Sequence, residues 1–495
     1  MTKIKKLSSG VAWGTLSTVF VTAFQLIFMA VMARLLDPSA FGVVAVASVC
    51  LRFFSFFAQI GTAPAIIQKQ ELNQGDVSAA LAVSLGISAT FCALVQVAAP
   101  VFEIFYEMPG LASVIRVLSI NFVISGFAAV AQGLLQRNTA FRSIAIIDVV
   151  AYLIGYGIVG ITAAYSGLEV WALVCAVMTQ LTVTAALSYM AMPFSLSLKH
   201  SPAQRRHFLS YGGRYSVIGF MEFLAAGLDS LVVGKLLGAK ISGFYSRANL
   251  LANLPVQQPA NILTKALFPI VSSIGNQREK QKYSLQLSIL LVGSYAFSVS
   301  LTIYLTANDI VKVLLGENWL EAIPILQMLS LSVGPSFISH VAGVTLNSIN
   351  KLRVKMQVQF FALALISLLL FVLAPSGNVV DIALALVITE WVRLIVVTIK
   401  LSRILRISVK ETLLAGVCII TMATLTIVTV YASIQFIPEN IPKIFRLAID
   451  GLSAIIGFGL GLMVSRYVAF RLPAVKYLLK QSAMLKKFFP KRYFL

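Results

Sequence analysis

Charge is what this sequence has least of. Only 12% of its 495 residues are Asp, Glu, Lys or Arg, about half the share found in soluble domains, while 59% are hydrophobic. That balance excludes an ordinary soluble enzyme. It also excludes a disordered chain, which needs low hydrophobicity and high charge. Cysteine is scarce too. Cys50, Cys92, Cys175 and Cys418 each stand alone in an apolar run, so the pattern builds neither a disulfide framework nor a C-x-x-C zinc site. His200, His207 and His340 are the only histidines, which leaves little for a metal. There is no G-x-x-x-x-G-K-[ST] loop for ATP hydrolysis. The gaps between apolar runs are too short to hold a soluble active site. These absences point away from an enzyme.

What is present is a series of about fourteen apolar runs, each long enough to cross a bilayer as a helix. A transmembrane barrel would show shorter, alternating segments. The net charge of +21 sits mainly in alternate gaps and in the tail, so it reads as membrane topology rather than nucleic-acid binding. Lys3, Lys5 and Lys6, then Lys69, Arg137 and Arg142, the 199–206 gap, Arg278 to Lys282, Lys351 to Lys355 and Lys400 to Lys410 fall on one side. By the positive-inside rule that side is cytoplasmic, and both termini lie there. The first run is too long for a signal-peptide core and reads as a retained helix.

The chain also repeats itself. Arg34-Leu35-Leu36 followed by Gly42 recurs 201 residues later as Lys235-Leu236-Leu237 followed by Gly243. The expected fold is an all-α polytopic membrane protein of about fourteen transmembrane helices. Two six-helix bundles, 1–200 and 201–405, are related by a parallel pseudo-two-fold. Two extra helices occupy 406–470, and a basic tail, 471–495, lies along the membrane surface through Lys476, Lys480, Lys486 and Lys487. A six-helix repeat of this kind is a transporter plan.

Polar residues inside the apolar runs mark the candidate site, because charge at bilayer depth is costly and faces a cavity or a partner. In the second run Ser48, Arg52, Ser55, Gln59 and Thr62 share one helical face. Arg52 is roughly 16 Å from the outer end at 1.5 Å per residue. Two readings of it stand: a cationic cavity wall, or a buried ion pair with Glu222 or Asp229. The eighth run is the most polar, with Asn253, Gln257, Asn261 and Lys265 at steps of four, Arg247 five turns from Lys265, and prolines at 255 and 259. It reads as a kinked wall of a wet cavity or as polar glue between helices. Gln25 continues a Thr15, Thr18, Thr22 face in the first run. Glu222, Asp229 and Asp148 are candidates for ion coupling, although Asp229 near the outer end also suits simple solvation. Glu390 and Arg393, three apart, read as a local pair.

SSGVAWGTLSTVF (8–20), RLLDPSAFG (34–42), GLDSLVVGKLLGAKISGFYSRANLL (227–251) and LFPIVSSI (267–274) resemble the Wzx-type polysaccharide flippases. These are exporters of the multidrug/oligosaccharidyl-lipid/polysaccharide superfamily, and the colanic-acid and teichuronic-acid branch is the most similar. The resemblance implies a bacterial inner-membrane flippase. It would move an undecaprenyl-diphosphate-linked oligosaccharide repeat unit from the cytoplasmic to the periplasmic leaflet by alternating access, in exopolysaccharide or lipopolysaccharide biosynthesis. It implies a cavity lined by the first, second, seventh and eighth helices. The polar residues on those helices then suit the substrate by their chemistry, Arg52, Arg247 and Lys265 for the diphosphate and Gln25, Gln59, Asn253, Gln257 and Asn261 for the glycan. The implied partners are the polyprenyl-diphosphate-linked glycan, membrane lipids, and the polysaccharide polymerase and chain-length machinery, with no nucleic acid. No cofactor is implied, and the coupling ion stays open between Na+ and H+. The alternative is a cation-coupled antiporter of drugs or other small molecules from the same superfamily.

Overall fold

The computed structural model describes all residues except 1–2, 59–61, 70, 198–199, 274–277, 439–440 and 476–495. Within helices it leaves aside the side chains of 3–12, 56–58, 207, 209–223, 225–226 and 260–273. The described residues are helical, with no strands among them. The helices are α1 (Lys3–Leu35), α2 (Pro38–Ala58), α3 (Thr62–Gln68), α4 (Gln74–Tyr106), α5 (Leu111–Ser119), α6 (Asn121–Arg137), α7 (Phe141–Tyr152), α8 (Ile161–Tyr165), α9 (Val170–Ala191) and α10 (Pro202–Ser273). They continue as α11 (Arg278–Leu314), α12 (Ala322–Ser348), α13 (Leu352–Leu373), α14 (Val379–Leu405), α15 (Val409–Phe436) and α16 (Lys443–Ala469). Between α7 and α8 the chain keeps turning through the wider π-helix Leu153–Gly160, so the fifth span is continuous.

Among the described residues, 12 helices or helix pairs are long and apolar enough to cross a membrane. The 72-residue α10 is broken at Gly238, with φ 77° and ψ −174°, into two arms each of a length that can cross a bilayer. Only glycine takes that conformation without cost. The arms 202–237 and 239–273 coincide with the expected seventh and eighth spans. The chain is therefore a multi-pass membrane protein with the expected helix number. Large apolar side chains such as Phe371 and Val97, 81% and 80% exposed, belong to lipid-facing surfaces. The surface-lying tail expected over 471–495 falls, from 476 onward, outside the described residues.

The chain folds as two compact units, Met1–Ser246 with Leu314–Asn318, and Arg247–Val313 with Trp319–Leu495. Compactness divides at Ser246, whereas the repeat halves meet near residue 200. The two boundaries answer different questions, because the seventh helix begins the second repeat but packs with the first unit.

In the first unit, Val46 and Cys50 of α2 meet Val95 and Ala99 of α4 and Leu111 and Ile115 of α5 in a buried cluster. A capping box starts α4: Asn73 accepts from the Asp76 amide at 2.8 Å while the Asp76 carboxylate accepts from the Asn73 amide at 3.1 Å, which satisfies two end groups at once. The closest approach in the unit joins the repeat-related glycines. A Cβ on Gly42 would lie 1.7 Å from the Ala239 carbonyl oxygen, and one on Gly243 would lie 1.9 Å from that of Pro38. Pro38 and Ala239 are themselves 201 positions apart. The two contacts are therefore images of each other under the repeat, and neither tolerates a side chain.

In the second unit, Leu285 and Val292 of α11 pack with Val341 and Leu346 of α12 and Val397 and Leu401 of α14. The α15–α16 hairpin closes on Gly457 and Gly461. A Cβ there would lie 2.1 Å from Thr429 Oγ1 and 2.7 Å from Met422 Cα, the small-residue spacing that lets membrane helices touch backbones. Glu411 both caps α15 through Ser408 and accepts from Lys282 Nζ at 2.7 Å and Gln286 Nε2 at 3.0 Å on α11.

Candidate functional site

Arg52 lies fourteen residues into α2, roughly 21 Å along the helix at 1.5 Å per residue. Six residues separate it from the other end of the helix at Ala58, so it lies in the last third of α2. Its turn is held by Phe54, whose ring lies 6.5 Å from Phe91 and 6.3 Å from Phe102 on α4. The Arg52 side chain itself is exposed. It forms no hydrogen bond or ion pair with a described residue. One of its two suggested acidic partners is excluded: Asp229 is engaged elsewhere. The other, Glu222, has a side chain outside the described residues, as do Lys265 and Asn261, and Gln59 lies outside them altogether.

Asp229 corrects the expectation of solvation. It is 1% exposed, and the break at Gly238 turns the chain so that Tyr245 comes back against it. Tyr245 Oη donates to Asp229 Oδ2 at 2.5 Å, while Oδ1 is buried without a hydrogen-bond partner. The two residues stand on either side of Gly238, nine before and seven after. That near-symmetric spacing was the available signal for Tyr245, which sequence reasoning missed. On the same face of the unit, Asp37 accepts from the Ser39 amide at 2.9 Å. This bond, helped by the Ser39 hydroxyl and by the charge of Lys240, holds the Asp37 carboxyl below the usual carboxylate range. Asp148 on α7 is half-buried and has no hydrogen bond or ion pair with a described residue. Gln25 on α1 is likewise half-buried.

Arg247, Asn253 and Gln257 belong to the second unit. Arg247 is half-buried and Gln257 exposed. Asn253 Nδ2 donates to Asn249 O at 3.0 Å and to Asn249 Oδ1 at 2.6 Å, so its donor is used within the helix and only its carbonyl is left to offer a ligand. The proline pair is resolved by a neighbour. Pro259 has no N–H for the Pro255 carbonyl, and Tyr295 Oη of α11 donates to that carbonyl at 3.0 Å. Here the polar side chain serves packing. Glu390 and Arg393 form the expected local pair at 2.5 Å, and Arg393 also reaches Ser336 Oγ at 3.4 Å. No group of three or more metal-ligating side chains occurs among the described residues.

The arrangement is one of polar groups set into apolar helices, with an exposed guanidinium at depth. Residues 31–324 match the family model described as polysaccharide biosynthesis protein. The chain belongs to that family. It is 26% identical to the lipopolysaccharide biosynthesis protein WzxC of Escherichia coli (strain K12), over 66% of each chain. It is 26% identical to the succinoglycan biosynthesis transport protein ExoT of Rhizobium meliloti (strain 1021), over 69% of this chain and 70% of that one. The matched stretch thus spans about two thirds of these relatives' length. Among solved structures it is similar to the lipid II flippase MurJ in an inward closed conformation. The TM-score is 0.69 at 13% identity, over 92% of this chain and 99% of that one. An inward-facing multidrug resistance transporter of the MATE family and MOP superfamily aligns with TM-score 0.56 at 16% identity, over 81% of this chain and 96% of that one. At these identities both likenesses speak for the fold.

Proposed function

We propose that this protein is a flippase that carries an oligosaccharide on a polyprenyl-diphosphate lipid from the cytoplasmic to the outer leaflet of a bacterial inner membrane, by alternating access. The observation that carries the reading is Arg52: a guanidinium at depth in an apolar helix, exposed, and without an acidic partner among the described residues. A diphosphate is dianionic or nearly so, and arginine meets phosphate through charge-assisted, often bidentate bonds. In the first unit Gln25, and in the second unit Gln257 and the Asn253 carbonyl, are groups of the kind a hydrated glycan needs, and Arg247 and Lys265 of the second unit are further cations suited to a diphosphate. No covalent step is required. The family assignment and the polysaccharide relatives favour this reading over a drug antiporter.

The membrane potential can contribute to the driving force. Two negative charges moved outward down an inside-negative potential of about 100 mV release roughly 4–5 kcal/mol. Asp229, Asp148 and Glu222 are the candidates for coupling to Na+ or H+. Polysaccharide polymerase and chain-length proteins are the partners expected downstream. Both termini lie in the cytoplasm, so a reporter fused after Arg278 reads cytoplasmic, and a periplasmic signal there overturns the topology.

Arg52 is the test of the substrate class. Arg52→Ala abolishes export at normal protein abundance, and Arg52→Lys retains part of it, because a lysine keeps the charge without the planar fork. The double change Arg52→Ala with Glu222→Gln is the control. If it restores export, Arg52 only neutralised Glu222 and the diphosphate role falls.

A further inference from the structure

A second buried carboxylate lies in the helix pair that follows the repeat. Asp450 is two turns into α16 and has no measurable exposure. Ser433 Oγ of α15 donates to its Oδ1 at 2.5 Å. Its Oδ2 is buried with no hydrogen-bond partner, and it forms no ion pair with a described residue. Ser453 Oγ stands 3.1 Å from Ser433 Oγ and donates to the Asp450 carbonyl at 2.8 Å. The nearby acid, Asp309 of α11, already has a partner: its Oδ2 lies 3.4 Å from Arg446 Nε. Arg446 also donates from Nη2 to the Ile434 carbonyl at 3.3 Å. The other ionisable groups on these elements at this end are Tyr304 and Lys312 of α11, Tyr431 of α15 and Lys443, the first residue of α16. Two carboxylates therefore meet one guanidinium, and one carboxylate oxygen is left over.

An ionised carboxylate in this position is too costly to stand alone, so it is neutralised by something. The side-chain groups hydrogen-bonded at this carboxylate are oxygens: the Ser433 hydroxyl on Oδ1 and, beside it, the Ser453 hydroxyl. Oxygen donors suit hard cations. A divalent ion gathers six or more oxygens in Ca2+ sites, or demands near-octahedral geometry as Mg2+, whereas a single uncommitted carboxylate balances one positive charge. Asn at 450 would keep the Ser433 bond without burying charge, so the acid has a use only if a cation visits it. We propose that Asp450, with Ser433 and Ser453, binds a monovalent hard cation, Na+ or a proton, in the joint between α11 and the α15–α16 hairpin. The joint is otherwise held by Arg446 on Asp309 and by Thr426 Oγ1, which donates to Ser298 Oγ at 3.3 Å. Loss of the cation leaves a net negative charge there and loosens the hairpin from α11.

The test is the thermal unfolding midpoint of the purified full-length protein in detergent, with Na+, K+ or choline at equal ionic strength and over a pH series. The expected result is a midpoint raised by Na+, or by protons independently of Na+, and a response lost in Asp450→Asn. Ser433→Ala, which keeps the charge, weakens the response about tenfold in half-saturation, as removal of one bond to a charged group does; it also serves if Asp450→Asn does not fold. Glu107→Gln, in an exposed pair with Lys235 away from this joint, keeps the response. If the wild type answers to neither ion, or Asp450→Asn and Ser433→Ala respond as wild type does, the proposal is overturned. A response that vanishes in Asp229→Asn and survives in Asp450→Asn also overturns it, and assigns the ion to the Asp229–Tyr245 pair. The readout needs no transport, so it stands or falls separately from the flippase reading.

Discussion

Arg52 and Arg393 are both arginines in membrane-spanning helices, and they are held in opposite ways. Arg393 lies 2.5 Å from Glu390 one turn away on the same helix, with side-chain exposures of 17% and 11% for base and acid. Arg52 is exposed and meets no acid among the described residues. A paired arginine has its charge cancelled within the fold and answers to structure. An uncancelled one needs a partner from outside the helix packing. The difference separates a charge cancelled within the fold from one that is not, although the two residues look equally anomalous in a hydropathy profile.

The strongest way to sharpen the comparison is to break the pair. Arg393→Ala takes the guanidinium away from the buried Glu390, and removal of one member of a buried pair costs about 3–5 kcal/mol. The expected outcome is a clear loss of folded protein by thermal unfolding, largely recovered when Glu390→Gln is added. Arg52→Ala leaves the unfolding midpoint near wild type. Equal destabilisation by both changes would erase the distinction.

The comparison can also be inverted. Val49→Glu places an acid three residues before Arg52, the spacing of Glu390 to Arg393. It gives Arg52 the local partner it lacks, at the expense of a phosphate ligand. Export should fall about tenfold or more, since each 1.4 kcal/mol of lost binding is worth a factor of ten, with normal protein abundance. Unchanged export would mean that Arg52 does not meet the anion.

The smallest effect belongs to a third kind of pair, at the aqueous edge. Lys235 Nζ lies 2.8 Å from Glu107 Oε1, with side-chain exposures of 33% and 79%. The Lys235 hydrogen bond and charge hold the Glu107 carboxyl below its usual range. The stabilising effect is present above the ordinary carboxylate pKa and is lost as pH falls through the lowered value in the folded state. Exposed pairs of this kind contribute little and are screened by salt. Glu107→Gln should leave the unfolding midpoint at neutral pH almost unmoved and remove only a small, salt-sensitive part of its acid limb.

The helix number, the repeat and the identity of the anomalous charges were legible in the sequence, and so was the local pairing of Glu390 with Arg393, because these depend on spacing along one helix. The partners of Asp229 and Asp450 were not. Tyr245 reaches Asp229 only because the break at Gly238 turns the chain, and Ser433 reaches Asp450 only because Gly457 and Gly461 let α16 touch α15. The Tyr295 bond that satisfies the Pro255 carbonyl was equally hidden, since a freed carbonyl announces a need for a donor without naming it.

By itself the sequence determined that this chain lives in a membrane, how many times it crosses, and which side chains are too polar for lipid. Hydropathy and charge are properties of residue type and order, and a bilayer reads them segment by segment. Only the tertiary structure decided which of those side chains are cancelled and which are left over. Cancellation depends on a distance of a few ångströms between groups far apart in the chain, and at membrane depth the cost of a missing partner is what separates a buried pair from a binding site.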